Sequence, residues 1–283
     1  MAILLLGGDS RLARRIAARR PFARSVVRHG TADAVTTVVA DYAEVPLSAF
    51  VGIATVVNCV GTPVGSPATL HAVNHDVAFA SATRARAAGC RHFIQVSSLS
   101  VYGRAEQIDG MTPVAPVSAY GRSKAAADAA LSALDDDAFA VTILRVPALY
   151  GRGAAGKFGA LARAMRRLGG FPVSRPLPQR SLLHLDNAAA VIAALPPQNG
   201  VVLAADHDLF DLGVLADVLA RLDVRRPVLV PLPRFALAPL AIAAPAVYAG
   251  LFAASVIDAA AAISTSMTLP VGLRDGLAEM LAA

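Results

Sequence analysis

A tyrosine and a lysine lie four residues apart in the segment Tyr120-Gly-Arg-Ser-Lys124, which opens a stretch with helical periodicity. Residues i and i+4 of a helix share one face, so the phenol and the ammonium are predicted to be neighbours. A free tyrosine titrates at about 10, too high for a base at neutral pH, but a nearby positive charge stabilises the phenolate and lowers its pKa. The spacing therefore predicts that Tyr120 is a general acid/base and that Lys124 tunes it.

Two further observations bear on this pair. Only two of the 26 basic residues, Lys124 and Lys157, are lysine, so a surface tyrosine stacked on a lysine stem is the weaker interpretation. Ser98 directly follows an apolar run that predicts a strand, and its hydroxyl can donate to the substrate oxygen on which Tyr120 acts. Taken alone, serines after a strand are more often explained by turn and cap chemistry.

The turn after the first predicted strand has the composition of an anion-binding loop. Its sequence, Gly7-Gly-Asp-Ser10-Arg11-Leu12-Ala13, lies between an apolar run and a helical stretch. A glycine turn in that place lets backbone N–H groups and the helix N-terminus contact a pyrophosphate. Of the pattern G-x-x-G-x-x-G only Gly7 is retained, although Ser10 and Ala13 are small enough for close backbone approach. This loop is weak support by itself.

The elements that must position these residues alternate along the first two-thirds of the chain. Short apolar runs predict strands at 2–6, 25–28, 35–39, 55–59, 92–96 and 141–144. Alanine- and arginine-rich stretches predict helices at 10–20, 67–88, 118–134 and 155–168. Continuous apolar strands, each followed by a crossover helix, indicate an α/β fold with a doubly wound parallel sheet. Such a sheet binds its ligands beyond the carboxyl ends of the strands.

The last third of the sequence predicts a small C-terminal lobe. We expect strands at 181–184, 201–203 and 227–230, and a helix that begins after Asp186. The resulting division assigns 1–150 and 181–205 to the sheet domain, and 151–180 and 206–283 to the substrate lobe. The segment 235–257 has no charged residue but contains Pro239 and Pro245, so a packed helical hairpin is favoured over a membrane segment or a peripheral membrane contact.

Composition excludes several classes of protein. At 55% hydrophobic and 16% charged residues, the 283-residue chain is not disordered and can bury a large core. The net charge of +6 favours anionic small molecules over nucleic acid, since the arginines are scattered and no basic stripe interleaves with aromatic residues. Two cysteines, Cys59 and Cys90, give no disulfide framework, and the apolar start is too short for a signal peptide. We therefore expect a cytoplasmic protein.

The motifs together resemble those of the extended short-chain dehydrogenase/reductase family, which comprises NAD(P)-dependent nucleotide-sugar epimerases, dehydratases and ketoreductases. Besides Tyr120-Gly-x-Ser-Lys124, the resemblance is carried by Ser97-Ser98-x-x-Val-Tyr-Gly103, Leu144-Arg-Val-Pro-Ala-Leu-Tyr-Gly151 and Arg180-Ser-Leu-Leu-His-Leu-Asp186. It covers nearly the whole chain and implies a Rossmann-type fold, a homodimer and, with the arginine-rich composition, a bacterial source.

The resemblance also implies a set of site residues. Tyr120 would be the acid/base, Lys124 its pKa modifier and ribose ligand, and Ser98 the partner of the reacting oxygen. Lys157 and Arg180 fall where the family meets the diphosphate of its substrate. The remaining cofactor contacts would come from Gly7, Ser10, Arg11, Leu12, Arg28, Asp41, Tyr42, Asn58, Cys59, Val60, Gly61 and Asn74.

The residues after Ser98 discriminate among the reactions of the family. Its sugar 4,6-dehydratases carry Asp-Glu there, whereas this chain has Leu99 and Ser100, which leaves C4 epimerisation or reduction of a 4-keto sugar. Arg28 at the end of the second predicted strand slightly favours NADP over NAD, because a cation suits a 2′-phosphate. Two alternatives stay open: a reductase of the same fold that acts on a lipid or another non-sugar alcohol, and a non-catalytic dinucleotide-binding sensor or assembly protein.

Overall fold

The computed structural model of the protein describes residues 2–154, 156–222, 225–243, 248 and 252–282. Within them, a seven-stranded sheet forms the largest layer, and all six of its strand pairs are parallel. Its strands are β1 (Ile3–Leu6), β2 (Arg24–Val27), β3 (Thr36–Val38), β4 (Thr55–Asn58), β5 (His92–Ser98), β7 (Ala140–Val146) and β11 (Gly200–Leu203). Their spatial order is β11-β7-β5-β4-β1-β2-β3. This confirms the doubly wound α/β fold.

Alternate residues of the central strands are buried on opposite faces of the sheet. Leu4 and Leu6 pack into one apolar cluster with Val56, while Leu5 and Val57 belong to a second cluster. Successive side chains of a strand point to opposite faces, so a strand that is apolar at every position is covered on both sides. The continuous apolar runs in the sequence have this physical cause.

The helices cover these faces and form the rest of the molecule. They are α1 (Arg11–Arg19), α2 (Pro67–His71), α3 (Val77–Ala87), α4 (Ala119–Ser132), α5 (Gly156–Leu168), α6 (Leu185–Ala194), α7 (Leu212–Arg221), α8 (Arg234–Ala243) and α9 (Leu273–Ala282). Short strands outside the main sheet are β6 (Gln107–Ile108), β8 (Ala148–Tyr150), β9 (Gly170–Val173), β10 (Leu182–His184), β12 (Val228–Pro231) and β13 (Val256–Ile257). Helices α5, α7 and α9 share a third apolar cluster with β9.

Several predicted elements differ from the structure. The helix expected at 67–88 is interrupted by a π-helical turn, Ala72–Asp76, between α2 and α3. The helix expected after Asp186 begins at Leu185, because His184 caps it by accepting from the Asp186 N–H. β2 ends at Val27, so Arg28 lies just beyond the strand. No sequence pattern predicted β9, α7 or α9.

The segment 235–257 is helical in its described first part. α8 accounts for its beginning, but its end is β13, which pairs in parallel with β6. Residues 244–247 and 249–251 lie outside the described residues, so the helical hairpin stays a prediction. Among the described helices, none is long and apolar enough to cross a membrane. The division of the chain into two lobes stays a prediction.

Candidate active site

Three adjacent strands are aligned near the carboxyl edge of the sheet. Leu6 of β1 pairs with Asn58 of β4, and Asn58 pairs with Gln95 of β5. The Asn58 amide donates to the Gln95 side chain at 2.8 Å, while its oxygen accepts from the Val60 N–H at 3.0 Å. This register brings the loops after β1, β4 and β5 together at the carboxyl edge of the sheet, where a doubly wound sheet forms its ligand site.

Tyr120 lies in the first turn of α4, next to the end of β5. Ser118 caps the helix by accepting from the Gly121 N–H at 2.9 Å. A Cβ at position 121 would collide with the Ser100 carbonyl, so the glycine that follows Tyr120 lets α4 lie directly on the loop after Ser98. Tyr120 thereby lies close enough to Ser98 for the serine hydroxyl to influence its pKa.

The titration behaviour of Tyr120 differs from what its spacing to Lys124 predicts. Burial raises the pKa of Tyr120, the Ser98 hydrogen bond acts in the lowering direction, and the charge of Asp128 raises it further. The tuning of Tyr120 by Lys124 stays a prediction. The Lys124 ammonium is held by a partner other than Tyr120.

That partner is the sheet itself. Lys124 is only 3% exposed, and its Nζ donates to the Val96 carbonyl at 2.7 Å. Burial lowers the pKa of Lys124 to about 8, against the charges of Asp128 and Cys59, which favour the protonated form. An ammonium with this pKa is a group that can exchange a proton near neutral pH.

Asp128 is another titratable residue on the same helix as Tyr120 and Lys124, and it was not predicted from the sequence. It is 2% exposed and accepts from Arg145 Nε at 2.9 Å. Arg145 also donates to the Tyr102 hydroxyl at 2.9 Å and lies over that ring. The spacing could have predicted it, since Asp128 follows Lys124 by four residues, as Lys124 follows Tyr120. The ion pair ties α4 to β7, and its carboxylate is the acid closest in sequence to Lys124.

Asn74 occupies the π-helical turn and is fully buried. Its side chain donates to the Thr62 carbonyl at 3.0 Å and to the Ser123 hydroxyl at 2.9 Å, and it accepts from the Thr62 N–H at 2.9 Å. One side chain therefore connects the loop after β4 to the serine of the Tyr-Gly-Arg-Ser-Lys motif. π-helical turns inside α-helices frequently mark functional sites.

The loop after β1 has the geometry that a pyrophosphate requires. Gly7 adopts a φ of +73°, and a Cβ on it would lie 3.2 Å from Val60. Ser10 caps α1 by accepting from the Ala13 N–H at 3.2 Å. The first N–H groups of a helix have no partner within it, so those of Arg11 and Leu12 point out of the N-terminus. The loop fits the diphosphate of a dinucleotide although two of the usual glycines are absent.

The residues on the β2 side of this loop form a charged group. Tyr42 donates to the Asp9 carboxylate at 3.0 Å, and the Arg28 guanidinium lies 5.5 Å from the centre of the Tyr42 ring. Burial and Asp9 raise the pKa of Tyr42, which keeps the phenol protonated. Asp41 is exposed and caps a short helix, Tyr42–Glu44, at the Ala43 N–H. Asp9 was not predicted, because it lies between the motif positions of the glycine pattern, Gly7 and Ser10.

The residues after β4 are close-packed against this site. Burial raises the pKa of the Cys59 thiol to about 12, while Ser10 and Lys124 act in the opposite direction. A thiol with this pKa is a packing group rather than a nucleophile. Val60 is buried, and a Cβ on Gly61 would lie 3.1 Å from the Asn74 amide oxygen. A glycine at position 61 therefore lets the loop pass close to the buried asparagine without displacing it.

A model of the NAD-dependent epimerase/dehydratase family matches residues 12–202, more than half of the chain. The protein belongs to this family. It is therefore an NAD-dependent enzyme of the class that the sequence motifs indicated, and the family placement made from those motifs is confirmed. No curated protein matches the sequence significantly.

Solved structures of the family share its fold. MoeE5, solved in complex with UDP-glucuronic acid and NAD, has 19% identity and a TM-score of 0.76, with 100% of this chain and 98% of MoeE5 covered. UDP-N-acetylglucosamine 4-epimerase from Bacillus cereus has 14% identity, a TM-score of 0.76 and the same coverage. TunA, an NAD-dependent NDP-hexosamine 5,6-dehydratase, has 16% identity and a TM-score of 0.75, with 100% and 97% covered.

The two residues that the family resemblance assigns to a substrate diphosphate lie on elements other than the helix of Tyr120. Arg180 is partly buried, and its Nη2 donates to the Ala253 carbonyl at 2.6 Å. Its backbone pairs with Phe210 and Ser255, and burial lowers its pKa. Lys157 lies in α5, but its side chain is outside the part of the chain that the structure describes.

Proposed function

We propose that this member of the family catalyses C4 epimerisation of a nucleotide sugar, or reduction of the corresponding 4-keto sugar. The observation that carries the proposal is the placement of Tyr120 against Ser98, with the buried Lys124 one helical turn away. These are the groups that a reaction at a single hydroxyl carbon needs: one proton carrier, one hydrogen-bond partner for the oxygen and one tuned cation.

We assign each residue of the site one role in the proposed reaction. Tyr120 takes the proton of the substrate hydroxyl on oxidation and returns it on reduction, while Ser98 holds the reacting oxygen by a hydrogen bond. Burial raises the pKa of Tyr120, so the resting phenol is ready to donate its proton on reduction. Before oxidation the phenol must release that proton, and Lys124, whose pKa burial lowers to about 8, is the group that can take it up near neutral pH. NAD, when bound, accepts and returns the hydride. The Gly7 loop, Asn58 to Gly61 and Asn74 are the residues that we propose to hold it.

We propose NAD rather than NADP as the cofactor. Arg28 favoured NADP in the sequence, but the structure adds a carboxylate, Asp9, that also contacts Tyr42. A carboxylate accepts hydrogen bonds from a ribose 2′-hydroxyl and repels a 2′-phosphate. MoeE5 is solved with NAD and TunA is NAD-dependent, which supports the same choice.

A nucleoside diphosphate sugar is the substrate class that we propose. MoeE5 binds UDP-glucuronic acid, the net charge of this chain is +6, and Arg180 is held in place by backbone pairing. Dehydration at C4 and C6 is not proposed, because Leu99 is buried and Ser100 hydrogen-bonds to Ser98 where that reaction needs two acids. The roles of Lys157 and Arg180, the homodimer and the cytoplasmic location stay predictions.

A lipid or other non-sugar alcohol is the second candidate substrate. The observation in its favour is α8, on which Phe235 is 80% and Ile242 is 84% exposed. An exposed apolar helix within the predicted substrate lobe suits an apolar ligand better than a nucleotide. Calorimetric titration of the NAD-loaded protein with UDP-glucose and UDP-N-acetylglucosamine separates the two, since a lipid enzyme binds neither nucleotide sugar.

The deciding experiment follows these UDP-sugars by NMR in the presence of the enzyme and NAD or NADH. We expect a C4 epimer to form, or a supplied 4-keto sugar to be reduced. Replacing Tyr120 by Phe should lower turnover by at least ~10²–10⁴-fold, the contribution of a positioned acid/base. Calorimetry should show nearly unchanged NAD affinity in the same variant. Unchanged turnover would contradict the mechanism, and firm NAD binding with no turnover of any sugar or alcohol would favour the non-catalytic sensor.

A further inference from the structure

A histidine pair and a carboxylate converge on the surface around the π-helical turn. His75 Nδ1 lies 2.7 Å from Asp76 Oδ1, and His71 Nε2 lies 3.5 Å from the same oxygen. The three ligand atoms are all within 4.8 Å of one another, and no other group of this kind occurs in the described residues. We propose that His71, His75 and Asp76 form a binding site for one divalent transition-metal ion, of which Zn²⁺ is the reference case.

The donor set and its spacing suit such an ion. Imidazole nitrogens are good ligands for Zn²⁺, Cu²⁺ and Ni²⁺, and two histidines with one carboxylate leave positions open for water. Ligands about 2.0–2.2 Å from a tetrahedral Zn²⁺ are roughly 3.4 Å apart, close to the His71–Asp76 separation. The His75–Asp76 distance is that of a hydrogen bond, so the ion would replace the shared proton and move these two atoms slightly apart.

The two rings are already neighbours, but they must turn out of their stack to share an ion, because an ion binds in the plane of an imidazole ring. The His71 and His75 imidazoles stack with centroids 4.3 Å apart and planes 17° apart. An ion pair between His75 and Asp76 explains one contact, but it does not require His71 to direct its Nε2 to the same oxygen. Side-chain exposures of 51%, 23% and 58% leave a path for a hydrated ion.

The site spans an unusual part of the backbone. His71 is the last residue of α2, whereas His75 and Asp76 are the last two residues of the π-helical turn. A bound ion would therefore connect the two ends of the turn that contains Asn74, whose side chain joins the loop after β4 to α4. An ion held this way stabilises the folded state because it binds residues that only folding brings together.

The test is a calorimetric titration of tag-free, EDTA-treated and NAD-free protein with ZnCl₂ alone. We expect saturation at one ion per chain. His71→Ala and His75→Ala should each weaken binding by more than the roughly tenfold that loss of a supporting hydrogen bond to a ligand costs. His207→Ala is the matched control, because His207 is exposed and its ring bonds only to the Ser264 carbonyl; it should leave the affinity unchanged.

Thermal unfolding gives a second readout that does not depend on how well each variant tolerates its substitution. Saturating Zn²⁺ should raise the Tm of the wild type and of His207→Ala, but not that of His75→Gln. The proposal is overturned by absence of saturable binding, by binding that survives both histidine substitutions, or by one ion per two chains. None of these measurements involves turnover, so they test the metal site independently of the proposed reaction.

Discussion

Two charged groups of the molecule, both built from residues far apart in sequence, are held in opposite ways. Lys124, Asp128 and Arg145 are at most 8% exposed, and each has a partner on the sheet or on α4. Asp9, Tyr42 and Arg28 lie at the rim of the cofactor loop, where Arg28 is exposed and Asp9 is half-buried. The two groups therefore differ in how much water screens their charges.

This difference in burial suits the two groups to different tasks, proton transfer for the buried group and cofactor selection for the exposed one. Removing water lowers the pKa of Lys124 toward neutral pH and raises that of Tyr120, so the lysine can exchange a proton in the working range while the tyrosine keeps its proton. Burial also raises the pKa of Tyr42 at the rim, but Asp9 and Arg28 there remain in contact with water. Their charges can distinguish a hydroxyl from a phosphate, because that choice depends on the sign of a local charge. Three measurements test this contrast.

The largest effect is expected from the buried ion pair. Asp128→Ala leaves the Arg145 guanidinium buried without its carboxylate, which should cost about 3–5 kcal/mol in the free energy of unfolding. Urea denaturation followed by circular dichroism measures it. Asp137→Ala, an exposed acid just beyond the same helix, is the control and should stay within about 0.5 kcal/mol of the wild type. Equal losses in both variants would show that the pair is not a buried charge pair in solution.

The next effect is a pH dependence that Lys124 imposes on the cofactor-free protein. Its pKa is about 8 in the folded state and 10.5 ordinarily, so between these values the unfolded chain binds more protons. Stability should therefore rise with pH across this window, by at most about 1.36 kcal/mol per pH unit. Denaturation of Lys124→Met should lack this contribution, whereas Tyr120→Phe keeps the lysine and should retain it. Identical profiles for Lys124→Met and the wild type would contradict the lowered pKa.

The smallest effect is expected at the rim. Asp9→Asn removes the negative charge beside Tyr42 and should shift the ratio of NAD to NADP affinity toward NADP by roughly 2- to 10-fold, the worth of one hydrogen bond. Arg28→Ala should shift the ratio the other way, and added salt should weaken both effects. Calorimetry with each dinucleotide measures the ratio, and Glu44→Gln, exposed on the same short helix as Tyr42, is the control. An unchanged ratio in both variants would remove Asp9 and Arg28 from cofactor selection.

Much of the site could be predicted because it depends on short spacings. Tyr120 and Lys124 follow from a helix period, and Ser98 follows from a strand end, whereas no sequence pattern predicted the register of the strands. Asp128 and Arg145 were missed as a pair because they lie 17 residues apart on different elements, α4 and β7. Asp9 was missed because its partner, Tyr42, is 33 residues away.

The sequence by itself determined the alternation of strands and helices in the first two-thirds of the chain, the placement of Tyr120 and Lys124 on one helix, and the family. These depend on periodicity and local motifs, which a linear pattern contains. Only the tertiary structure decided which atom holds the Lys124 ammonium, that burial raises rather than lowers the pKa of Tyr120, and that a π-helical turn directs Asn74 inward. Desolvation depends on every chain segment packed around a group, so no local pattern contains it.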